Sequence, residues 1–146
     1  MAVEGALAAA GTKPVGVALV GYGYWGPNLA RNFHALAGSD LLYVVDSNPQ
    51  ALTQPQRLFG CATSADYAAV LADPAVEAVA IATPARTHFA LAAAALRAGK
   101  HVLVEKPLTM DPDEARVLIE LAHEHRLTLM VGHVFEYNPA VRYIRD

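Results

Sequence analysis

Three glycines and one aspartate are the first residues in this sequence whose types and spacing suggest chemistry. Gly21, Gly23 and Gly26 stand in the run G-Y-G-Y-W-G, which fits the pattern G-x-G-x-x-G. In such a run the first glycine allows a tight turn, the second lets a phosphate approach the backbone, and the third permits close packing of a helix on a strand. Asp46 follows about 20 residues later, where a carboxylate can accept hydrogen bonds from an adenosine ribose. Together these residues predict a dinucleotide site.

Asp46 also indicates which dinucleotide is bound. A carboxylate repels the 2′-phosphate of NADP, and no arginine follows Asp46 in Ser47-Asn48-Pro49. We therefore expect NAD to be preferred over NADP, with Asp46 and Ser47 beside the ribose. An aspartate that only ends a strand and begins a turn is the alternative. Domains that bind S-adenosylmethionine also use a glycine-rich turn and an acid after the second strand, so these features alone leave that ligand open.

Two large aromatic residues, Tyr24 and Trp25, lie inside the glycine run. They are too large to be hidden in a tight turn. They either form a wall of the cofactor cleft or pack beneath a second domain, and the sequence does not decide between these roles.

Short β-branched runs alternate with helical segments and must position these residues. Strands are expected at 15–20, 41–45, 76–81, 101–104 and 128–131. Between them, Ser64 is expected to cap a short helix. This alternation predicts an α/β fold, a doubly wound parallel Rossmann sheet in three α/β/α layers.

The ends of the chain give two further expectations. Residues 1–13 are expected to form a flexible leader, and residues 14–146 one NAD(P)-binding domain. Because Asn138-Pro139 begins another helical segment, we expect that domain to end within a crossover helix. The sheet would then be incomplete at its sixth strand.

More polar residues follow the later strands, at the edge of the sheet where ligands of open α/β folds bind. They are Thr83, Pro84, His88, Glu105, Lys106 and His133. The ammonium of Lys106 could hydrogen-bond a substrate hydroxyl and stabilise developing negative charge, although a solvated surface lysine is the alternative. His88 and His133 are expected either to contact the cofactor or substrate or to serve helix-start and packing roles.

Several of these residues stand in phrases that resemble a known family. Glu105-Lys106-Pro107 resembles the E-K-P motif of the Gfo/Idh/MocA oxidoreductases. Ala82-Thr83-Pro84, followed by His88, is similar to the A-T-P…H segment of that family. Gly132-His133 and Tyr137-Asn138-Pro139 resemble its region after the fifth predicted strand. With the opening G-Y-G-Y-W-G-P-N, the resemblance covers nearly the whole chain.

The resemblance implies an NAD(H)-binding domain of an oxidoreductase that acts on the CH–OH group of a sugar, cyclitol or nucleotide-sugar. It implies that Lys106 is a catalytic residue near the nicotinamide, where it orients the substrate or relays its proton. The second domain of the family, which carries the substrate pocket and a catalytic histidine, has no counterpart in this sequence. A nucleotide-binding module without turnover, stand-alone or truncated, is therefore the alternative, and whether the chain is itself an enzyme stays open.

Composition limits the other classes of partner. Hydrophobic residues make up 54% and charged residues 17% of the 146 residues, as in a globular domain. A net charge of −3 without a long run of one sign argues against nucleic-acid and membrane partners, leaving a small sugar-type molecule. The single cysteine favours a reducing, cytoplasmic compartment, and no residue spacing indicates a metal site. An uncovered sheet edge would permit a homo-oligomer.

Overall fold

Six strands and six α-helices make up residues 13–145, the part of the chain that a computed structural model describes. The strands are β1 (Val15–Val20), β2 (Ser39–Val45), β3 (Ala62–Ser64), β4 (Ala78–Ile81), β5 (His101–Val104) and β6 (Leu129–Val131). The helices are α1 (Gly26–Ala35), α2 (Thr53–Phe59), α3 (Tyr67–Ala72), α4 (His88–Arg97), α5 (Pro112–Glu124) and α6 (Pro139–Arg145). Short 3₁₀ helices cover Pro49–Leu52, Ala85–Thr87 and Val134–Tyr137.

The strands form one sheet in the order β3-β2-β1-β4-β5-β6, and every neighbouring pair is parallel. The central strand β1 lies between β2 and β4, so the chain moves outward first on one side of β1 and then on the other. Ligands of such sheets bind where this order reverses, outside the carboxyl ends of the strands. The predicted doubly wound parallel sheet is confirmed.

Helices cover both faces of the sheet. Because successive side chains of a strand point to opposite faces, Val20 packs with Leu96 of α4 and Leu118 of α5, whereas Leu19 packs with Ala30 of α1. In β1 all residues after Val15 are buried, as expected for a central parallel strand. The predicted three layers are therefore present.

Alanines explain how α4 approaches the sheet. Ala92, Ala93 and Ala95 are buried on the helix face that packs against the core, together with Leu96. Their small side chains let the helix backbone lie close to the strands, since protein interiors are packed without gaps. Burying Leu96 alone contributes about 1.5–3 kcal/mol to the free energy of unfolding.

The expectation of five strands with a missing sixth was wrong. The additional strand is β3 at the edge of the sheet, where Thr63 pairs with Val44 of β2. It has three residues, too few to show a period-two pattern, and only Thr63 is β-branched. For the same reason Ser64 ends a strand instead of capping a helix. Asp66 caps α3, accepting a hydrogen bond from the backbone N–H of Ala69 at 3.0 Å.

The two ends of the described region differ. Apart from Lys13, the expected leader lies outside the described residues. At the other end, the Asn138 side chain accepts a hydrogen bond from the backbone N–H of Ala140 at 2.9 Å, just before α6. Within residues 13–145, no helix is both long enough and apolar enough to cross a lipid bilayer.

Candidate functional site

The turn between β1 and α1 uses its three glycines for three different reasons. Gly21 has a φ of +95°, and a Cβ there would lie 2.7 Å from the carbonyl oxygen of Ala82, the residue directly after β4. A Cβ on Gly26 would lie 2.3 Å from the carbonyl oxygen of Gly21, so only glycine lets α1 begin this close to the turn. A Cβ on Gly23 would meet nothing within 4 Å. Gly23 therefore borders open space.

The open space at Gly23 lies at the start of α1. Among the described residues no side chain caps this helix, and Pro27 occupies its first turn. A proline there sacrifices an N–H that would have had no partner in the helix. The remaining free N–H groups and the positive end of the helix dipole can hold an anion such as a pyrophosphate.

Asp46 follows β2 and is tied to the glycine turn. One carboxylate oxygen, Oδ2, accepts from the backbone N–H of Tyr22 at 2.7 Å, and Oδ1 accepts from the N–H of Asn48 at 2.8 Å. A carboxylate oxygen can accept more than one hydrogen bond, so both oxygens keep capacity for ribose hydroxyls. The contact with Tyr22 fixes the carboxylate beside the turn where the anion would lie.

Two clefts meet at this edge of the sheet. The first, which we call the Asp46 cleft, has a volume of about 410 Å³ and is lined by residues that include Gly21, Asp46 and Ser47. The second, the Lys106 cleft, has a volume of about 570 Å³ and is lined by residues that include Glu105 and Lys106. Residues lining both clefts are Gly23, Ala82, Thr83 and Pro84. The two clefts therefore adjoin at the glycine turn.

Tyr24 and Trp25 line the Lys106 cleft. Tyr24 is 95% exposed and Trp25 40% exposed, and neither occupies the Asp46 cleft. This position is compatible with a role as a wall of the cofactor cleft, one of the two roles that the sequence left open. The opposite wall is supplied by Val134 and Phe135.

Glu105 and Lys106 come directly after β5. A Cβ on Gly132 would lie 3.1 Å from the carboxyl group of Glu105, so the carboxylate packs against a position where any side chain would crowd it. Lys106 is exposed and has no hydrogen-bond partner among residues 13–145. The peptide bond between Lys106 and Pro107 is cis. The Lys106 ammonium is thus free to bind a ligand in its cleft.

His88 lies beneath the two clefts rather than in them. It is 1% exposed, and its Nδ1 and Nε2 lie 2.8 Å and 2.9 Å from the carbonyl oxygens of Pro107 and Thr83. A neutral imidazole has one N–H and can donate to only one of these carbonyls, whereas a doubly protonated ring can donate to both. This position favours the packing role over direct contact with a ligand, and it links the turns after β4 and β5.

His133 is exposed after β6 and lines neither cleft. The structure thus brings together most of the residues expected at the site but leaves two histidines out of both clefts. Within residues 13–145, no group of three or more histidine, cysteine or acidic residues could hold a metal ion.

Sequence reasoning missed five residues that line the Asp46 cleft, namely Ala65, Tyr67, Arg86, Thr87 and Leu91. Burial raises the pKa of the Tyr67 hydroxyl, which donates to the carbonyl oxygen of Leu91 at 3.0 Å. Arg86 lies only three residues after Thr83, in a turn at the same sheet edge. Its position after a strand end was the signal that could have identified it.

The sequence was compared with known protein families. The profile of the Gfo/Idh/MocA group, an oxidoreductase family with an NAD-binding Rossmann fold, matches residues 15–133. Among curated proteins, a UDP-N-acetylglucosamine 3-dehydrogenase of Acidithiobacillus ferrooxidans is 39% identical over 128 residues. That match covers 88% of this chain but 40% of the dehydrogenase, so the chain spans less than half of this relative's length.

Solved structures give the same picture. The crystal structure of GenD2 from gentamicin A biosynthesis, in complex with NAD, has a TM-score of 0.85 and 39% identity; the match covers 88% of this chain and 37% of GenD2. KijD10, a 3-ketoreductase from Actinomadura kijaniata in complex with NADP and TDP-benzene, has a TM-score of 0.86 and 30% identity. That match covers 90% of this chain and 41% of KijD10. Structural relatives therefore include complexes with either nicotinamide dinucleotide.

Proposed function

The chain belongs to the Gfo/Idh/MocA oxidoreductase family, within its NAD-binding Rossmann fold, and from this premise we propose that it is the NAD(H)-binding domain of an oxidoreductase acting on the CH–OH group of a sugar, cyclitol or nucleotide-sugar. The names of its relatives support this substrate class, since they include a UDP-N-acetylglucosamine 3-dehydrogenase and a dTDP-3,4-didehydro-2,6-dideoxy-alpha-D-glucose 3-reductase. Because the chain spans less than half of these relatives, the activity of the whole protein is part of the proposal.

The observation that carries the proposal is that the two clefts adjoin at Gly23. A dinucleotide is long and has a charged centre, and here an open helix N-terminus lies between a cleft with a fixed carboxylate and a cleft with a free lysine. We assign the adenosine to the Asp46 cleft, the pyrophosphate to the glycine turn and the nicotinamide to the Lys106 cleft. The other residues proposed to contact the cofactor are Tyr24, Trp25, Ser47, Thr83, Pro84 and Glu105.

Lys106 is the residue we propose for the chemical step. A bound nicotinamide would exchange a hydride with the carbon that bears the substrate hydroxyl. Lys106 Nζ would donate a hydrogen bond to the oxygen on that carbon and stabilise negative charge as the hydroxyl proton passes to a base in the remainder of the substrate site. A lysine with no hydrogen-bond partner among the described residues can take this role without breaking an existing contact. The remainder of the substrate site would come from outside residues 13–145.

We further propose that NAD is preferred over NADP, because the Asp46 carboxylate would lie beside the 2′ position of the ribose. A cytoplasmic setting suits the single cysteine, Cys61, which is buried and unpaired. The exposed edge of β6, where Met130 is 43% exposed, would allow association into a homo-oligomer.

Binding of NADH to this chain is the direct test. Trp25 is the only tryptophan and lines the Lys106 cleft, so energy transfer from Trp25 to bound NADH reports on the proposed nicotinamide position. We expect saturable transfer with NADH and weaker binding of NADPH. The variant Trp25→Phe should abolish the signal while calorimetry still detects NADH. Absence of binding by either nicotinamide nucleotide, with binding of S-adenosylmethionine, would overturn the proposal.

A turnover assay on sugars and nucleotide-sugars then separates a complete enzyme from a binding module. NADH binding with NAD-dependent oxidation of one of these classes supports the full proposal. This chain could instead bind NADH without turnover, and a longer form of the protein could also show no turnover. Only the nucleotide-binding part of the proposal would then remain.

A further inference from the structure

Arg86 supplies a positive charge to the Asp46 cleft from an unexpected part of the sequence. It lies in the 3₁₀ helix Ala85–Thr87, directly after the turn that follows β4, and it is one of the residues that line the cleft. It is exposed, and within residues 13–145 it takes part in no hydrogen bond and no ion pair. No arginine follows Asp46 in the sequence, but in the folded chain Arg86 lines the same cleft as Asp46.

The charge of Arg86 is not neutralised by the carboxylate in the same cleft. The hydrogen bonds that Asp46 accepts come from the backbone N–H groups of Tyr22 and Asn48, and the distance between Asp46 and Arg86 exceeds the 4.0 Å limit of an ion pair. The planar face and the N–H groups of the Arg86 guanidinium are consequently not engaged by any residue between 13 and 145.

Several of the residues that line the Asp46 cleft together with Arg86 are apolar. Ala65, Tyr67 and Leu91 line it, and the Tyr67 hydroxyl is already engaged by the carbonyl oxygen of Leu91. A slot with apolar walls and a planar cation suits a flat aromatic ring, because a guanidinium stacks on aromatic faces and attracts their π electrons. A phosphate would find only one cation there and would be desolvated against apolar carbon.

We propose that the guanidinium of Arg86 stacks on the adenine ring of the bound dinucleotide. This inference rests on the proposed function: with the pyrophosphate at the glycine turn and the ribose at Asp46, the adenine extends toward Ala65, Arg86 and Leu91. Arg86 thus strengthens binding of the adenosine half without favouring either cofactor, and Asp46 carries the discrimination against the 2′-phosphate.

The test compares NADH and NADPH affinities of the wild type, Arg86→Ala and Arg86→Lys, measured by calorimetry on this chain. Arg86→Ala should weaken both cofactors by the same factor, about three- to tenfold, the range of one cation–π contact. Arg86→Lys should recover only part of that loss, because an ammonium cannot stack as a planar group. Arg116→Ala, which removes an equal charge from α5 outside both clefts, should change neither affinity.

Each other result overturns the inference. A loss confined to NADPH would mean that Arg86 binds the 2′-phosphate. Full recovery of affinity in Arg86→Lys would mean that the positive charge alone matters. Unchanged affinity in Arg86→Ala would mean that Arg86 contributes nothing to cofactor binding. These results all leave NADH binding by the wild type intact, whereas a wild type that binds neither cofactor would overturn the proposed function and this inference together.

Discussion

The two ends of the central sheet carry the same kinds of polar residue but use them differently. At the amino end, Lys100 is 8% exposed, and its Nζ donates to the carbonyl oxygens of Asp73 and Val76 at 2.9 Å and 2.7 Å. At the carboxyl end of the same strand, β5, Lys106 is exposed and lines a cleft. The two lysines lie on either side of the four residues of β5. Carbonyl oxygens already accept hydrogen bonds from Lys100, whereas no residue between 13 and 145 accepts one from Lys106.

The aspartates show the same difference. The carboxylate of Asp73 accepts from the Ala75 N–H at 2.8 Å and from the Tyr43 hydroxyl at 2.9 Å, which joins β2 to the loop before β4. Asp46 accepts only from backbone N–H groups and faces a cleft. Lys100 and Asp73 at the amino end therefore stabilise the fold, whereas Lys106 and Asp46 at the carboxyl end keep capacity for a ligand. We therefore predict that substitutions of these residues at the amino end lower stability, whereas substitutions at the carboxyl end change cofactor binding or turnover.

The lysine pair should give the largest effect. In a form of the protein that turns over substrate, Lys106→Ala should lower kcat by about 100-fold or more, the range of a lost proton-transfer or charge-stabilising group. Its unfolding midpoint and its NADH affinity should stay near those of the wild type. Lys100→Met should instead lower the free energy of unfolding by about 2–3 kcal/mol, since two carbonyl oxygens lose a charged donor.

Chemical denaturation and NADH titration of both lysine variants check this separation. Equal loss of stability in the two variants, or an active Lys106→Ala protein, would contradict it. Lys106→Arg is a useful intermediate, because it keeps the charge but changes the geometry of the donor.

The glycines of β1 and its following turn give the next largest effect. A Cβ on Gly16 would lie 2.0 Å from the carbonyl oxygen of Ala75, so Gly16→Ala should cost about 3 kcal/mol of stability through overpacking. A Cβ on Gly23 meets no protein atom within 4 Å but enters the proposed pyrophosphate position. Gly23→Ala should therefore fold normally and bind NADH about tenfold or more weakly, corresponding to about 1.4 kcal/mol.

Thermal unfolding and calorimetry distinguish the two glycine variants. Normal NADH affinity in Gly23→Ala would show that the pyrophosphate does not approach this glycine, and the assignment of the two clefts to one dinucleotide would have to be abandoned.

Much of this fold could be predicted because its strands are apolar and its turns carry distinctive residues. β1 was predicted with its observed bounds, since five of its six residues are buried and a glycine follows it. The start of α5 also carries a signal in the sequence, because Asp111 accepts from the N–H of Asp113 and Pro112 occupies the first turn. β3 could not be predicted, because a three-residue edge strand is defined by its pairing with β2 and not by its own pattern.

The site divides in the same way. Gly23 was predicted from spacing within one turn, whereas Lys106 was predicted from its place after a strand and from the E-K-P resemblance. Arg86 and Tyr67 reach the Asp46 cleft from different turns, so their proximity follows only from the strand order. His88 was found, but its burial between two carbonyl oxygens depends on the packing of α4 beneath both turns. Sequence spacing identifies a turn's own chemistry and misses what neighbouring turns contribute.

A smaller effect is expected from Asp46, because the substitution removes one part of an extended site. Asp46→Ala should weaken NADH binding by about tenfold, the loss expected when hydrogen bonds to a charged acceptor disappear. NADPH should lose less affinity or gain some, since the repulsion of its 2′-phosphate is removed. Asp113→Ala removes an exposed carboxylate on α5 and serves as the control. If Asp46→Ala binds both cofactors as the wild type does, the assigned role of this carboxylate is wrong.

The smallest effect should appear only in acid and only at the amino end. The backbone N–H of Ala75 and then the Tyr43 hydroxyl lower the pKa of Asp73 in the folded chain. A lowered folded-state pKa contributes stability that is complete above the unfolded value, about 3.9, and is lost as pH falls through the folded value. The midpoint difference between wild type and Asp73→Asn should therefore shrink below about pH 4.

Tyr43→Phe distinguishes this explanation from a general acid effect. Removing the hydroxyl donor leaves Ala75 as the remaining hydrogen-bond donor to Asp73, so its pKa should rise toward the ordinary value and the acid loss should begin at higher pH. NADH affinity at neutral pH should be the same in Tyr43→Phe, Asp73→Asn and the wild type, since neither residue lines a cleft at the carboxyl end. An altered NADH affinity in either variant would show that the two ends of the sheet are coupled. The proposed separation between residues that stabilise the fold and residues that bind the ligand would then be wrong.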